Sequence, residues 1–114
     1  MVKTLEMMRT EIKRDLRGGS GEIPTLHLLE ADETMGKCNL CSHMTLQPGV
    51  SIGEHPHNPD AEIYYCLKGE LTVSDNGTEK VMHAGDIMFI GGGQTHWAKN
   101  LSNEPVEMLA IVIK

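Results

Sequence analysis

Hydrophobic and polar residues follow two different periods along this chain of 114 residues. Between residues 4 and 17 the apolar side chains recur at helical spacing, and Thr4 is placed to cap the first turn. These apolar positions are Leu5, Met8, Ile12 and Leu16. The pattern predicts one short helix, which the glycine-rich segment 18–21 would end.

From Ile23 onward the pattern changes to short apolar segments separated by turn residues, which is typical of a β-sandwich or barrel. Asn76-Gly77 is the strongest hairpin signal, because this pair suits a type I′ turn. The last segment, 105–113, is nearly all apolar and is expected to be buried on both faces. Strands are predicted at residues 25–30, 37–46, 50–56, 61–68, 70–74, 78–83, 86–90, 95–100 and 105–113.

Length and charge narrow the function classes. A chain of this length supports one domain. The formal net charge is −6 and no run of basic residues occurs, so no nucleic-acid partner is expected. The early basic residues alternate with acidic ones, which favours a solvated helix face. These basic residues are Arg9, Lys13, Arg14 and Arg17.

No apolar stretch is long enough to span a membrane, and the first residues lack a signal-peptide core. We therefore expect a cytoplasmic protein with no membrane partner and with reduced thiols at its three cysteines. Cys38 and Cys41 invite a redox or zinc hypothesis. On a strand, however, residues three apart face opposite sides and lie about 10 Å apart, beyond the reach of a disulfide.

Candidate metal ligands concentrate around His55 and His57. Histidines at i and i+2 on a strand share a face, with Cα atoms about 6.6 Å apart, so both imidazoles can reach one ion. Pro56 between them removes a ladder donor, which predicts an edge strand or a bulge. Two nearby acids, Glu54 and Asp60, can support the ligating side chains without binding the metal themselves. Glu54 has the opposite strand parity, so it faces the other side of the strand from the histidines.

Two segments of the chain have glycine, histidine, glutamate and asparagine residues at defined spacings. The first contains Gly49, His55, His57, Glu62 and Gly69, and the second contains Gly85, Gly93, His96 and Asn100. These segments resemble the two motifs of the cupin superfamily, G(X)5HXH(X)3–4E(X)6G and G(X)5PXG(X)2H(X)3N. Gly91 stands where the second motif has proline, which leaves the rigidity of the turn before His96 open.

The resemblance implies an all-β fold, a double-stranded β-helix or jelly-roll barrel of a small single-domain cupin. We expect residues 1–21 to form an N-terminal helix or arm and residues 22–114 to form the barrel. The resemblance also implies one divalent transition metal ion per chain, held by His55, His57, Glu62 and His96. Iron, manganese, nickel, zinc and copper remain open as its identity.

Four protein ligands on a six-coordinate ion would leave about two positions for a small molecule. A metal-dependent enzyme of dioxygenase, isomerase or lyase type, acting on an oxygen-rich or aromatic molecule, is the first hypothesis. A metal-dependent binding or sensor protein without turnover is the alternative.

Few polar side chains are expected in the pocket, and its candidate lining residues are Tyr64, Cys66 and Met44. Trp97 and the apolar last strand, together with the resemblance, predict a homodimer.

Overall fold

The computed structural model describes residues 1–114 and consists of ten β-strands with a few short 3₁₀ turns. No helical segment is both long and apolar enough to cross a membrane. The 3₁₀ turns lie at Leu5–Met7, Leu16–Gly18 and Asp32–Thr34. The strands are β1 (Arg9–Arg14), β2 (Glu22–His27), β3 (Cys38–Leu46), β4 (Ser51–Pro56), β5 (Ala61–Lys68), β6 (Leu71–Asp75), β7 (Thr78–Met82), β8 (Ile87–Ile90), β9 (Thr95–Lys99) and β10 (Val106–Ile113).

The strands form two antiparallel sheets of a jelly roll. One sheet has six strands in the order β1-β2-β3-β10-β5-β8, and the other has four in the order β4-β9-β6-β7. Side chains from both sheets meet in one buried core, in which Tyr64 and Met108 face Ile52 and Val73. The alternation of side chains across each strand therefore sends one set inward and leaves the other outside.

The nine strands predicted from the sequence are all present, with ends that differ by no more than three residues. The hairpin prediction is confirmed, since Asp75 pairs with Thr78 and the turn places Asn76 and Gly77 at φ of 48° and 94°. The expectation for Pro56 is also confirmed. Strand β4 lies at a sheet edge, and its register with β9 shifts between Ile52 and His55.

The helix predicted over residues 4–17 is wrong. Arg9–Arg14 form strand β1, which pairs along its whole length with β2. Pairing with β2 satisfies the backbone hydrogen-bonding groups of this segment, whereas a short isolated helix is only marginally stable in water. The apolar residues that suggested a helical stripe do not form a buried face, because Leu5 and Ile12 are exposed. The division into an arm of residues 1–21 and a barrel of residues 22–114 stays a prediction.

Burial of the last strand on both faces is also wrong for the single chain. Inward residues of β10 are buried and outward ones are half-buried. The outward set continues across neighbouring strands, because Leu109 pairs with Tyr65, which in turn pairs with Ile87. The outer face of the six-stranded sheet is therefore apolar over β10, β5 and β8, through Leu109, Ile111, Ile63, Tyr65, Ile87 and Phe89.

Candidate metal centre

Four buried side chains converge between the two sheets: His55, His57, Glu62 and His96. The three histidines come from the four-stranded sheet, on β4, immediately after it, and on β9, and Glu62 comes from β5 of the other sheet. One nitrogen or oxygen from each residue lies within 4.8 Å of all the others. The structure thus brings together all four residues that the cupin resemblance implied as ligands.

Strand register explains this convergence. His55 on β4 is the direct partner of His96 on β9, and directly opposed residues have Cβ atoms about 5 Å apart. His57 follows two residues after His55 and so keeps the same side of the chain. Glu62 is an inward residue of β5, and it reaches the imidazoles across the interior.

The distances within the cluster suit one shared ion. Nε2 of His96 lies 3.0 Å from Nε2 of His55 and 2.9 Å from Oε1 of Glu62. The same oxygen lies 3.1 Å from Nε2 of His57 and 3.7 Å from that of His55. Ligands about 2.1 Å from an ion at right angles to one another are about 3.0 Å apart, so the donor set fits a six-coordinate divalent metal.

The other ring nitrogens of two histidines have backbone or carboxylate partners. Nδ1 of His55 donates to the carbonyl of Gly53 at 2.8 Å, and Nδ1 of His57 donates to Oδ1 of Asp60 at 3.0 Å. These bonds leave the Nε2 lone pairs free for the centre. Nδ1 of His96 is buried without a hydrogen-bond partner. Of the two acids considered as supports, Asp60 contacts a ligand, whereas Glu54 accepts a hydrogen bond from Thr95.

Electrostatics favour the ionised carboxylate. Burial raises the pKa of Glu62, but the three imidazoles around it lower the pKa more, so its net pKa lies well below the usual range. Glu62 also raises the pKa of His57 against the opposing effect of burial, and Asp60 raises it further. The centre therefore holds one permanent negative charge that a cation would neutralise.

A cavity of about 110 Å³ opens beside the cluster. Its apolar wall consists of Leu16, Leu40, Met44, Ile52 and Val112, and its polar wall consists of Lys13, Arg17, His55, His57, Glu62 and Tyr64. The ring of Tyr64 stacks on that of His96 with centroids 4.8 Å apart. Burial, followed by the nearby Glu62, raises the pKa of the Tyr64 phenol well above its usual value, so the phenol keeps its proton.

The expectation of a pocket with few polar side chains is wrong. Lys13, on β1, and Arg17, in the segment that packs against β4, both line the cavity. The solvated helix face that they were expected to form is absent, because no helix forms there. Sequence reasoning missed these two residues, since a helical period over 4–17 gave no sign of which side chains would meet the barrel. Tyr64 and Met44 line the cavity, whereas Cys66 is buried outside its lining, 3.7 and 3.6 Å from the carbonyls of Lys68 and Gly69.

Other candidates lie away from the centre. Cys38 and Cys41 are free thiols on β3. Trp97, which contributed to the homodimer prediction, is half-buried, and the Lys99 ammonium lies 4.7 Å from its ring centroid. Each of the remaining histidines is paired with an acid: His27 with Glu11, His43 with Glu107, and His83 with Glu70 and Asp86.

Comparison with known proteins identifies the family to which this fold belongs. Residues 42–112 match the family model described as Cupin_2, cupin domain. The chain belongs to the cupin family. The matched segment contains all four candidate ligands, and the segment that carries Lys13 and Arg17 lies outside it.

Two curated relatives are similar to this cupin. An oxalate-binding protein of Thermotoga maritima is 40% identical over 99 residues, which cover 87% of this chain and 82% of the relative. A tetracenomycin polyketide synthase protein of Streptomyces glaucescens is 30% identical over 93 residues, which cover 82% of this chain and 60% of that longer protein.

Solved structures of other proteins have the same fold. The crystal structure of a predicted oxalate decarboxylase from Thermotoga maritima superposes with a TM-score of 0.93 at 38% identity, covering 99% of this chain and 98% of the other. A polyketide cyclase from Streptomyces resistomycificus superposes with a TM-score of 0.78 over 99% of this chain and 80% of its own. Its 20% identity supports the fold alone.

Proposed function

We propose that this cupin binds a small carboxylate at a divalent metal ion held by His55, His57, Glu62 and His96. The observation that carries the proposal is the opening of this cluster onto a small cavity that also contains Arg17 and Lys13. A centre of three neutral imidazoles and one carboxylate would keep about one positive charge of a divalent ion. Oxalate is the first ligand to test, since a relative at 40% identity is named as oxalate-binding.

When bound, a divalent ion supplies a Lewis acid that attracts and polarises carboxylate oxygens. The residues of the chain do the rest. Apolar side chains such as Met44 and Val112 limit access of water, and the cationic groups of Arg17 and Lys13 complement a negative charge. The phenol of Tyr64 is a neutral hydrogen-bond donor for a carboxylate oxygen.

The size of the cavity supports a ligand of only a few heavy atoms. Its volume is about 110 Å³, somewhat less than the roughly 150 Å³ of an engineered cavity that holds benzene. A two-carbon dicarboxylate is within this range, whereas a flavonoid or a nucleotide sugar is too large for it. This argument narrows the broader expectation of an oxygen-rich or aromatic ligand.

A metal-dependent enzyme of lyase type is the second candidate. The observation that favours it is the protonated phenol of Tyr64 in the lining of the cavity. In a decarboxylation of hydrogen oxalate the C–C bond breaks, carbon dioxide leaves, and the remaining carbon takes the electron pair and one proton to become formate. Tyr64 can hold or pass such a proton, so formate production by metal-loaded protein would separate turnover from binding.

Equilibrium dialysis of radiolabelled oxalate tests the proposal, with the metal content of the protein compartment measured in parallel because oxalate also chelates free metal. We expect about one oxalate per chain for protein loaded with manganese, iron, nickel, zinc or copper, and none for metal-free protein. Retention of oxalate without metal would contradict the proposal, as would the absence of binding with every metal retained. A His57→Gln variant serves as a control that lacks one ligand.

We also propose a homodimer and a cytoplasmic location. The dimer is supported by the apolar outer face of the six-stranded sheet, where Ile87 and Phe89 are 67% and 59% exposed. Antiparallel sheets that face solvent normally carry polar residues on that side, so an apolar face of this extent suits a second copy of the chain. Three free thiols are compatible with a reducing compartment.

A further inference from the structure

The segment that carries Arg17 is fastened to the strand that carries His55. Backbone N–H of Ser51 donates to the carbonyl of Ser20 at 2.9 Å, and N–H of Ser20 donates to Oγ of Ser51 at 3.0 Å. Within the segment, Asp15 bonds in both directions with Gly21, at 3.0 Å each. These contacts tie residues 15–21 to β4 at the edge of the four-stranded sheet.

Two glycines permit this close approach. A Cβ on Gly53 would lie 2.0 Å from the carbonyl oxygen of Arg17, and a Cβ on Gly19 would lie 2.2 Å from that of Ser51. Arg17 itself takes a left-handed conformation at φ 56° and ψ 29°, which is uncommon for a residue with a side chain. Backbone packing, and not a flexible tether, therefore sets where the Arg17 side chain begins.

The charge of Arg17 has no partner within the protein. No carboxylate lies within ion-pair distance of its guanidinium, whereas Lys13 is 3.5 Å from Glu11. Glu62 is the sole acid in the cavity lining. The positive charge of Arg17 also acts on Tyr64, where it opposes the rise in pKa that burial and Glu62 cause. Arg17 is exposed and lines the cavity, so its guanidinium is available to an anion that enters.

We propose that Arg17, assisted by Lys13, is the specificity-determining residue that makes this cupin prefer small dianions to monoanions of the same shape. The inference rests on the proposed function and deepens it. One carboxylate of the ligand would meet the residual charge of the metal centre, and the other would meet the guanidinium at the mouth of the cavity. A monoanion would leave the guanidinium unpaired.

Oxalate and oxamate make a matched pair of probes, because oxamate replaces one carboxylate with an amide of nearly the same shape. The Arg17→Gln variant should bind oxalate about ten- to hundredfold more weakly than the parent. Its affinity for oxamate should change by less than about threefold, and its metal content should not change. Arg17→Lys should recover part of the loss, since it restores the charge without the fork of donors.

Arg14→Gln is the matched control. It removes the same charge at the end of β1, three residues before Arg17. Arg14 is exposed, pairs with Glu22 and does not line the cavity. Its oxalate affinity should equal that of the parent. Equal losses for oxalate and oxamate in Arg17→Gln would overturn the inference while leaving carboxylate binding intact, and so would an unchanged oxalate affinity. Absence of oxalate binding by the metal-loaded parent would overturn the proposed function itself.

Discussion

Asp60 holds His57 through a hydrogen bond from Nδ1 to Oδ1 of 3.0 Å, while the opposite nitrogen of the same ring faces Glu62 at 3.1 Å. One imidazole thereby connects a half-exposed carboxylate with the buried centre. A carboxylate behind a ligating histidine fixes its tautomer and orientation and makes it a stronger ligand. Asp60 should therefore tune the centre without touching a metal.

Replacing Asp60 should weaken metal binding. Asp60→Ala removes the partner of His57 Nδ1, and loss of such a partner typically lowers metal affinity about ten- to hundredfold. Competition with a chromophoric chelator measures the effect. Glu54→Ala is the matched control, because Glu54 is an acid near the same histidines that bonds to Thr95 instead of a ligand. Equal affinities for the two variants would refute the assigned role of Asp60.

Metal should stabilise the folded chain through the four-residue centre. Free metal at about a hundred times its Kd adds about 2.7 kcal/mol to the free energy of unfolding. For a domain of this size the midpoint Tm should rise by about 10 °C. His57→Gln should lose this rise, whereas His83→Gln, at an exposed histidine, should keep it. If metal still raised the Tm of His57→Gln, the stabilising ion would have to bind outside the four-residue centre.

The stability of metal-free protein should fall as the pH increases through neutrality. Because the pKa of His57 is raised above its unfolded value of about 6.5, the folded chain binds that proton more tightly than the unfolded chain. The resulting stability is fully present below the unfolded pKa and is lost as the pH rises through the folded pKa. Glu62, whose pKa is lowered, contributes no change in this window because it stays ionised in both states.

Thermal unfolding of metal-free parent and His57→Gln measures this effect as a difference in Tm between about pH 5.5 and pH 8.5. The advantage of the parent over the variant should shrink as the pH increases. Metal-loaded protein should show the opposite trend, because the histidines must be deprotonated to bind an ion. A parent-to-variant difference that does not change with pH would show that the His57 proton is not linked to folding.

The sequence predicted the barrel well because alternation and turn residues are local signals. The hairpin at Asn76-Gly77 and the edge position of Pro56 follow from backbone properties of those residues alone. Two candidate ligands were predicted by such a local signal, since spacing on a strand places His55 and His57 on one face, whereas Glu62 and His96 followed from the cupin resemblance.

The N-terminal segment could not be predicted in the same way. Its helical period is real, but pairing of Arg9–Arg14 with β2 is a non-local interaction that overrides a weak local preference. The backbone of Arg17 packs against Gly53, which is far away in sequence. No pattern within residues 4–17 reports such a contact, so the cationic part of the cavity emerged only from the structure.

A charge on the outer face of the six-stranded sheet should separate the proposed dimer. Phe89→Glu places a carboxylate in the apolar face, where pairing of copies would bury it without a partner. Sedimentation velocity at tens of micromolar should show a dimer for the parent and a monomer for this variant. Val81→Glu is the control, since Val81 is 50% exposed on β7 of the other sheet. A monomeric parent would exclude the dimer.

Substitution of Gly53 should affect both stability and ligand preference, because this glycine contacts the segment that carries Arg17 and also accepts a hydrogen bond from a candidate ligand. Its carbonyl accepts the hydrogen bond from His55, and its Cα lies against the carbonyl of Arg17. Gly53→Ala cannot keep both contacts, so we expect a loss of about 1–3 kcal/mol in the free energy of unfolding. We also expect a weaker preference for oxalate over oxamate, because the displaced segment carries Arg17 away from the cavity.

Urea unfolding and the two ligand affinities measure these effects. Gly91→Ala provides the comparison, since the nearest neighbours of its added Cβ would be side-chain atoms of Ala61 and Phe89, at 3.0 Å and beyond. That variant should lose less stability and keep the oxalate preference. If Gly53→Ala kept the preference of the parent despite a loss of stability, close packing on β4 would matter for the fold but not for the placement of Arg17.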